Sequence, residues 1–312
     1  MAARACRRPE HCSPLTVHCS LLPTGAPLVS VVTLTHNKLD YTSRCLTSLL
    51  QTDYAPWELV VVDNGSSDGT PAWVEGFCDT AAAAGVKVTL IRNAGNIGCS
   101  TARNQGAAAS RGARLVFMDN DVALRSRGWL ARLGATFDAD PQVGIVGPKL
   151  VYPVPPHLIQ CAGVGISRTG RVLFRGRGER RDDPRFSRTE PMQSLISACF
   201  MVRRDVFEQA GGFDEAFNPV EFEDFDLCYR ARSHGHQVVY NPTVEMYHFE
   251  SVTTAGTPTL PNTGLIIRHG LLFKQRWQHL FENEAGPADA ETAWRRLRVG
   301  TLTEVRDLPV VE

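Results

Sequence analysis

Four aliphatic, β-branched runs at near-regular spacing limit this chain more than any other feature: residues 28–35 (LVSVVTLT), 57–62, 86–92 and 113–118. The first is continuous, as expected of a strand covered on both faces; 57–62 and 113–118 also read as buried strands, and 86–92 as a further strand. Between them the pattern turns helical. Residues 41–51 set Leu46, Leu49 and Leu50 inward, the turn formers of 63–70 precede a helix from Pro71, and a third helix runs through 102–107. Strands alternating with helices predict the α/β class, with a parallel, Rossmann-like half sheet. No Gly-x-Gly-x-x-Gly follows the first strand, which disfavours a dinucleotide fold of the dehydrogenase kind.

Beyond residues 144–147 the alternation fades. Pro153, Pro155 and Pro156 mark a connection, and 159–166 reads as one short strand. Residues 168–188 hold eight arginines among Gly, Asp and Pro and read as a mobile surface loop, either a solvated hairpin or a device for steering a phosphate-bearing acceptor. Residues 194–202 are strand-like, and a helix over 204–210 stops at Gly211-Gly212. Two closing strands are expected at 238–240 and 244–247, then a linker at 258–263, a helix over 264–281 and a polar tail. The last helix sets Ile266, Phe273, Trp277 and Phe281 on one stripe, expected to pack on the domain rather than lie on a membrane.

Composition excludes some function classes. Lys+Arg and Asp+Glu both total 33, so charge points to no nucleic-acid partner. Nine scattered cysteines without a Cys-x-x-Cys pair imply reduced thiols in a cytosolic setting. No apolar run is long enough to span a bilayer. The first 27 residues lack the clean apolar run of a signal peptide, and Cys6, His11, Cys12, His18 and Cys19 match no zinc spacing, so a loose tail is expected there.

The chemistry gathers at strand ends. Asp119-Asn120-Asp121 follows the fourth strand, where an open parallel sheet collects ligands, and two acids there suit a hard divalent cation that can hold a diphosphate; an Asx-rich turn is the plainer explanation. His36 and Asp63 end the first two strands and belong to the same rim. Arg103 would face a phosphate or the solvent. Four carboxylates crowd residues 221–226, where Glu223-Asp224 opens a helix; helix N-terminal stabilisation accounts for some of this, and mutual repulsion can raise one member toward a general base. His248, just past a strand, would shift metal preference from magnesium toward manganese if it is a ligand.

Taken together, Thr35-His36-Asn37, the run 61–70 (VVDNGSSDGT), Asn96-Ile97-Gly98, the run 102–106 (ARNQG), Asp119-Asn120-Asp121 and Glu223-Asp224-Phe225-Asp226-Leu227 resemble, in order, the motifs of family 2 glycosyltransferases. These are inverting nucleotide-sugar enzymes of the GT-A fold, and the similarity is strongest to bacterial rhamnosyltransferase-type members. It covers roughly residues 29–251. It implies a GT-A sheet, mostly parallel, with a smaller mixed acceptor-side region: a domain over 28–255 (donor half 28–125, acceptor half 126–255), then a C-terminal helix and tail over 256–312.

By the same resemblance Thr35, His36 and Asp63 border the nucleobase, with Asn37, Asn96, Gly98 and Asn120 in the nucleotide-sugar motifs and Arg103 beside the nucleotide. Asp119 meets ribose or the metal's water shell, and Asp121 binds Mn²⁺ or Mg²⁺. His248 contacts metal or diphosphate, Asp224 is the catalytic base and Glu223 holds the acceptor. Leu34 and His36 stand where the family often has Pro and Tyr, which leaves the nucleobase open. The implied partners are a nucleoside-diphosphate sugar and a glycan, lipid-linked or other hydroxyl acceptor, with no nucleic acid. The implied location is the cytoplasm, or peripheral contact at the inner face of the plasma membrane. A nucleotidyltransferase and an inactive nucleotide-sugar-binding module are the alternatives. The first would want a Gly-rich, basic loop after the first strand, where residues 34–40 offer only Lys38.

Overall fold

The computed structural model describes residues 25–250, 252, 262–295, 297, 300–305 and 307–312; the Cys/His tract and residues 258–261 of the expected linker lie outside these. The predicted alternation is realised as β1 (Val29–Thr35), α1 (Leu39–Leu49), β2 (Trp57–Asp63), α2 (Thr70–Ala83), β3 (Lys87–Arg92), α3 (Cys99–Ala109) and β4 (Arg114–Asp119). β1 lies between β2 and β4, all parallel, with Thr35 level with Asp63 and Leu34 level with Asp119. That register brings three strand ends to one rim.

Within each strand successive residues serve opposite faces. Val31, Leu59, Val61, Val116 and Met118 join the core under α1, α2 and the next helix, while Val32, Val60, Val62, Leu115 and Phe117 join the core under α3. Burial on both faces explains the apolar runs of β1, β2 and β4, while β3, at the edge of the sheet, is only partly buried. Gly106 permits the close approach of α3, since a Cβ there would come within 2.3 Å of Val32 Cγ1.

The second half is mixed. It comprises β5 (Val122–Leu124), α4 (Trp129–Ala139), β6 (Val143–Val151), β7 (Ile159–Cys161), β8 (Val164–Ile166), β9 (Val172–Phe174), β10 (Glu190–Pro191), β11 (Cys199–Arg203), α5 (Arg204–Gln209), α6 (Glu223–Ser233), β12 (Gln237–His248) and α7 (Asn262–Phe281). The main sheet runs β10-β12-β6-β11-β4-β1-β2-β3, with β5 on β12 and β7 on β6, while β8 and β9 form a separate hairpin. β11 enters antiparallel to both β4 and β6.

Several expectations are corrected. The run 159–166 is two strands, and the two closing strands are one, irregular between Asn241 and Glu245. β5 had no separate signal. The arginine-rich stretch is folded rather than a mobile loop: it supplies β9, and Arg175, Arg177 and Arg185 hold carboxylates. Two of these carboxylates, Glu190 and Glu250, come from outside the stretch and draw it onto the domain. The polar tail turns back, with Val311 N–H donating to Arg125 O and Arg127 N–H to Val311 O. On α7 Phe273 and Phe281 pack inward as expected, but Ile266 is exposed because it faces a cleft. Among the described residues six cysteines are free and no helix is long and apolar enough to cross a membrane.

Candidate active site

Two tertiary pairings assemble the site. β4 ends at Asp119, the chain turns through Asn120 and Asp121, and it re-enters the sheet as β5, which runs antiparallel to β12 with Val122 opposite His248. Phe249 N–H donates to the Asp121 carbonyl at 3.0 Å. Asn120 fixes the turn from within, donating to Thr42 Oγ1 at 2.9 Å and Thr35 Oγ1 at 3.3 Å. His248 Nε2 therefore stands 3.3 Å from Asp121 Oδ1. One ligand atom each from Asp119, Asp121 and His248 lie within 4.8 Å of one another. Two carboxylate oxygens and an imidazole nitrogen fit Mn²⁺ or Mg²⁺ better than a soft metal.

Arg103 joins this group to the second one. Buried on α3, it donates from Nη2 to Asp119 Oδ1 at 2.7 Å and from Nη1 to Glu223 Oε1 at 2.6 Å. Burial by itself would lower its pKa, but Asp119 and Glu223 more than offset that and hold the guanidinium charged. Burial raises the Asp119 carboxyl, with Asp121 adding to the shift and Arg103 opposing it. Burial would discharge His248, yet Asp121 beside it leaves its pKa raised.

The acid pair at the start of α6 is aimed by strained backbone. Glu221 and Phe222 have φ of 85° and 72°, a conformation that costs about 1–3 kcal/mol per residue unless its surroundings enforce it. They do: a ring nitrogen of buried His269 on α7 lies 2.9 Å from Val220 O and 3.1 Å from Glu221 O, and Phe222 packs on Phe225 and Phe273. Asp224 then accepts the Ser197 N–H at 3.0 Å and the Phe225 N–H at 2.8 Å. Burial, then the charge of Glu223, pushes Asp224 up to about 8, against the pull of those two N–H groups and Arg103. Glu221 rises to about 7 for the same two reasons. Asp226, by contrast, is fully buried and structural: it accepts from Arg230, Arg276 and Trp277, tying α6 to α7.

His36, Asn96, Arg103, Asp119, Asn120, Asp121, Glu223, Asp224 and His248 line one cleft of about 1310 Å³, as does Leu34. Thr35, Asn37, Asp63 and Gly98 stand behind its wall. Thr35 meets Thr42 and Asn120, Asn37 accepts the Ser67 N–H at 2.8 Å, and buried Asp63 accepts from Ser66 N. Gly98 has φ of 88° and abuts Asn218, whose Oδ1 would lie 2.2 Å from an added Cβ, so no other residue fits. Asn218 in turn accepts the Ser100 N–H and donates to Thr101, tying the start of α3 to the turn before α6.

Sequence reasoning gave no role to Ser197, Gln160 or Glu250, and took Glu221 only as one of the crowded acids and Arg177 only as one of eight arginines. Ser197 carries no local signal, because it reaches Asp224 only through the pairing of β11 with β4. Gln160 is equally silent. Glu250 sits two residues after His248 and was visible as a neighbouring acid.

Comparison with known proteins bears on this geometry. The family model described as glycosyl transferase family 2 matches residues 30–211. An uncharacterized protein of Sinorhizobium fredii is 32% identical over 275 residues, covering 84% of this chain and 29% of its own length. The N-acetylglucosaminyl-diphospho-decaprenol L-rhamnosyltransferase of Mycobacterium tuberculosis is 30% identical over 251 residues, covering 74% of this chain and 79% of that enzyme. The chain thus spans under a third of the Sinorhizobium relative. The crystal structure of GalNAc-T7 with UDP, GalNAc and Mn²⁺ superposes with a TM-score of 0.60 at 18% identity, over 77% of this chain and 48% of that one, a likeness of fold.

Proposed function

The chain belongs to glycosyl transferase family 2, and from that premise we propose that it is an inverting, metal-dependent glycosyltransferase that moves a sugar from a nucleoside-diphosphate sugar to an acceptor hydroxyl. The observation that supports this best is one cleft lined both by the Asp119–Asp121–His248 group and by Asp224, an acid whose surroundings hold its pKa near neutrality. A divalent cation on Asp121, His248 and Asp119 would supply positive charge to the departing diphosphate. Asp224 takes the proton of the acceptor hydroxyl as that oxygen attacks the anomeric carbon opposite the leaving group, which inverts the centre. Ser197 and Phe225 N–H groups aim the Asp224 carboxylate. Glu223 gives Oε1 to Arg103, and its buried Oε2, without a hydrogen-bond partner, is the atom assigned to hold the acceptor.

The acceptor side of the cleft is apolar. Of the six large hydrophobic side chains exposed among the described residues, Ile266, Ile267, Leu271 and Trp294 line this cleft. Such a concentration marks an interaction surface, and Lys274 and Arg171 stand beside it. A lipid-linked acceptor with an anionic linker fits that wall, in keeping with the name of the mycobacterial relative, and would bring the protein to a membrane surface.

Incubation with a panel of uridine-, guanosine- and thymidine-diphosphate sugars, assayed for free nucleoside diphosphate, tests the reading. Slow hydrolysis of one donor, abolished by chelation and restored by Mn²⁺, is expected. Pyrophosphate release from a nucleoside triphosphate would replace it with nucleotidyl transfer, and inertness toward every donor would replace it with a binding module.

A further inference from the structure

Away from the cation group, His248 meets an ordered chain of side chains from separate segments. Gln160 on β7 sets Oε1 3.3 Å from His248 Nδ1 and donates from Nε2 to Glu250 Oε1 at 3.3 Å. Arg177 clamps Glu250 with two bonds, of 2.6 Å to Oε1 and 3.0 Å to Oε2, and Tyr152 donates to Oε2 at 2.9 Å. Arg177 is held in its turn: its Nε donates to Arg295 O at 3.1 Å, and its guanidinium carbon lies 3.9 Å from the centre of the Trp294 ring. Glu250 has φ of 61°, and this ring of donors holds it there.

The chain has a fixed polarity. Glu250, clamped by Arg177, only accepts, so the face of Gln160 turned to it must be the NH₂; flipping the amide would set oxygen against oxygen and lose the bond. Gln160 Oε1 then faces His248 and requires a proton on Nδ1. The other nitrogen, Nε2, is turned to Asp121 and is the one left to bind a cation.

We infer that Gln160, Glu250 and Arg177 are positioning residues for the cation site: they fix the rotation of His248 and keep its proton on Nδ1, so that Nε2 is presented beside Asp119 and Asp121. This role presupposes the cation site proposed above. It also gives the arginine-rich segment and the C-terminal residues 294 and 295 a task at the site, since Arg177 is supplied by the first and braced by the second.

Titrating the full chain with MnCl₂ alone, and counting free Mn²⁺ by electron paramagnetic resonance, tests it. Gln160→Leu should bind about ten- to a hundred-fold more weakly than the natural chain, and Glu250→Gln should also weaken binding, because an amide no longer dictates which way Gln160 points. Wild-type affinity in Gln160→Leu alongside a loss in His248→Ala would overturn the positioning role and leave the cation site standing. Wild-type affinity in His248→Ala as well would overturn both. A readout independent of variant folding is the imidazole spectrum of the ¹⁵N-His-labelled natural chain loaded with Mg²⁺. A protected His248 Nδ1–H is expected; a proton on Nε2, or an Nδ1–H in free exchange, overturns the inference.

Discussion

Two groups of acids share one cleft and are treated in opposite ways. Asp119 and Asp121 sit among positive or potentially positive partners, Arg103 and His248, at 2.7 and 3.3 Å. Glu221 and Asp224 are buried with another acid, Glu223, as their main charged neighbour, and Asp224 also accepts two backbone N–H groups. At Asp119 Arg103 opposes the effect of burial, whereas at Asp224 burial and Glu223 together favour a bound proton. Side chains of nearly the same chemistry therefore differ by their neighbours, as a candidate cation group and a candidate base, with Arg103 bonded to Asp119 on one side and Glu223 on the other.

The hardest break in that contrast comes from exchanging roles by substitution. Asp224→Asn should lower turnover by about 10²–10⁴-fold, the worth of a general base, with Mn²⁺ binding unchanged. Asp121→Ala should do the reverse at the binding step, abolishing Mn²⁺-dependent nucleotide affinity in calorimetry. If both variants lose the same property, the two groups are not functionally distinct.

Removing the shared cation comes next. Arg103→Met leaves Glu223 buried without its partner, and breaking a buried pair in this way costs about 3–5 kcal/mol. Urea denaturation should report that loss, and adding Glu223→Gln should recover part of it. A loss under 1 kcal/mol, within the range of an exposed pair, would mean the bridge carries little weight.

The smallest effect, and the sharpest discriminator, is pH. A base must be ionised, so kcat/KM should rise with pH through an apparent pKa of about 8, and Asp224→Asn should lose that limb. Stability should move the other way. Acids whose folded pKa is raised contribute most below their unfolded values near 4 and lose that contribution as pH climbs through the folded values of about 7 and 8. The chain should thus unfold more easily at pH 9 than at pH 6, and Glu221→Gln combined with Asp224→Asn should flatten the difference.

The part of the chain through β4 was readable because its information is local. β1, β2 and β4 are mostly apolar runs that end on polar turns, and parallel register puts Thr35, Asp63 and Asp119 at one rim. Even so, reading along the chain could not tell which motif residues face the cleft. Asn37, Asp63 and Gly98 look outward-facing in a turn, yet they hold neighbouring backbone or make room for Asn218. The part after β4 was read less well because its strands find partners far away in the chain. The three-residue β5 exists only because β12 lies beside it, and the eight-arginine stretch looked like solvent-exposed charge because Glu190 and Glu250 lie outside it.

The residues alone settled the α/β class and the order of the elements through β4, and marked the acids at 119, 121, 223 and 224 as candidates, because strand periodicity and turn chemistry act within a few residues. Only the folded chain decided that His248 would stand beside Asp121, that Ser197 would aim Asp224 and that Gln160, Glu250 and Arg177 would stand behind the histidine. Those outcomes depend on sheet register and burial, which fix distances and solvation between groups that share no stretch of sequence.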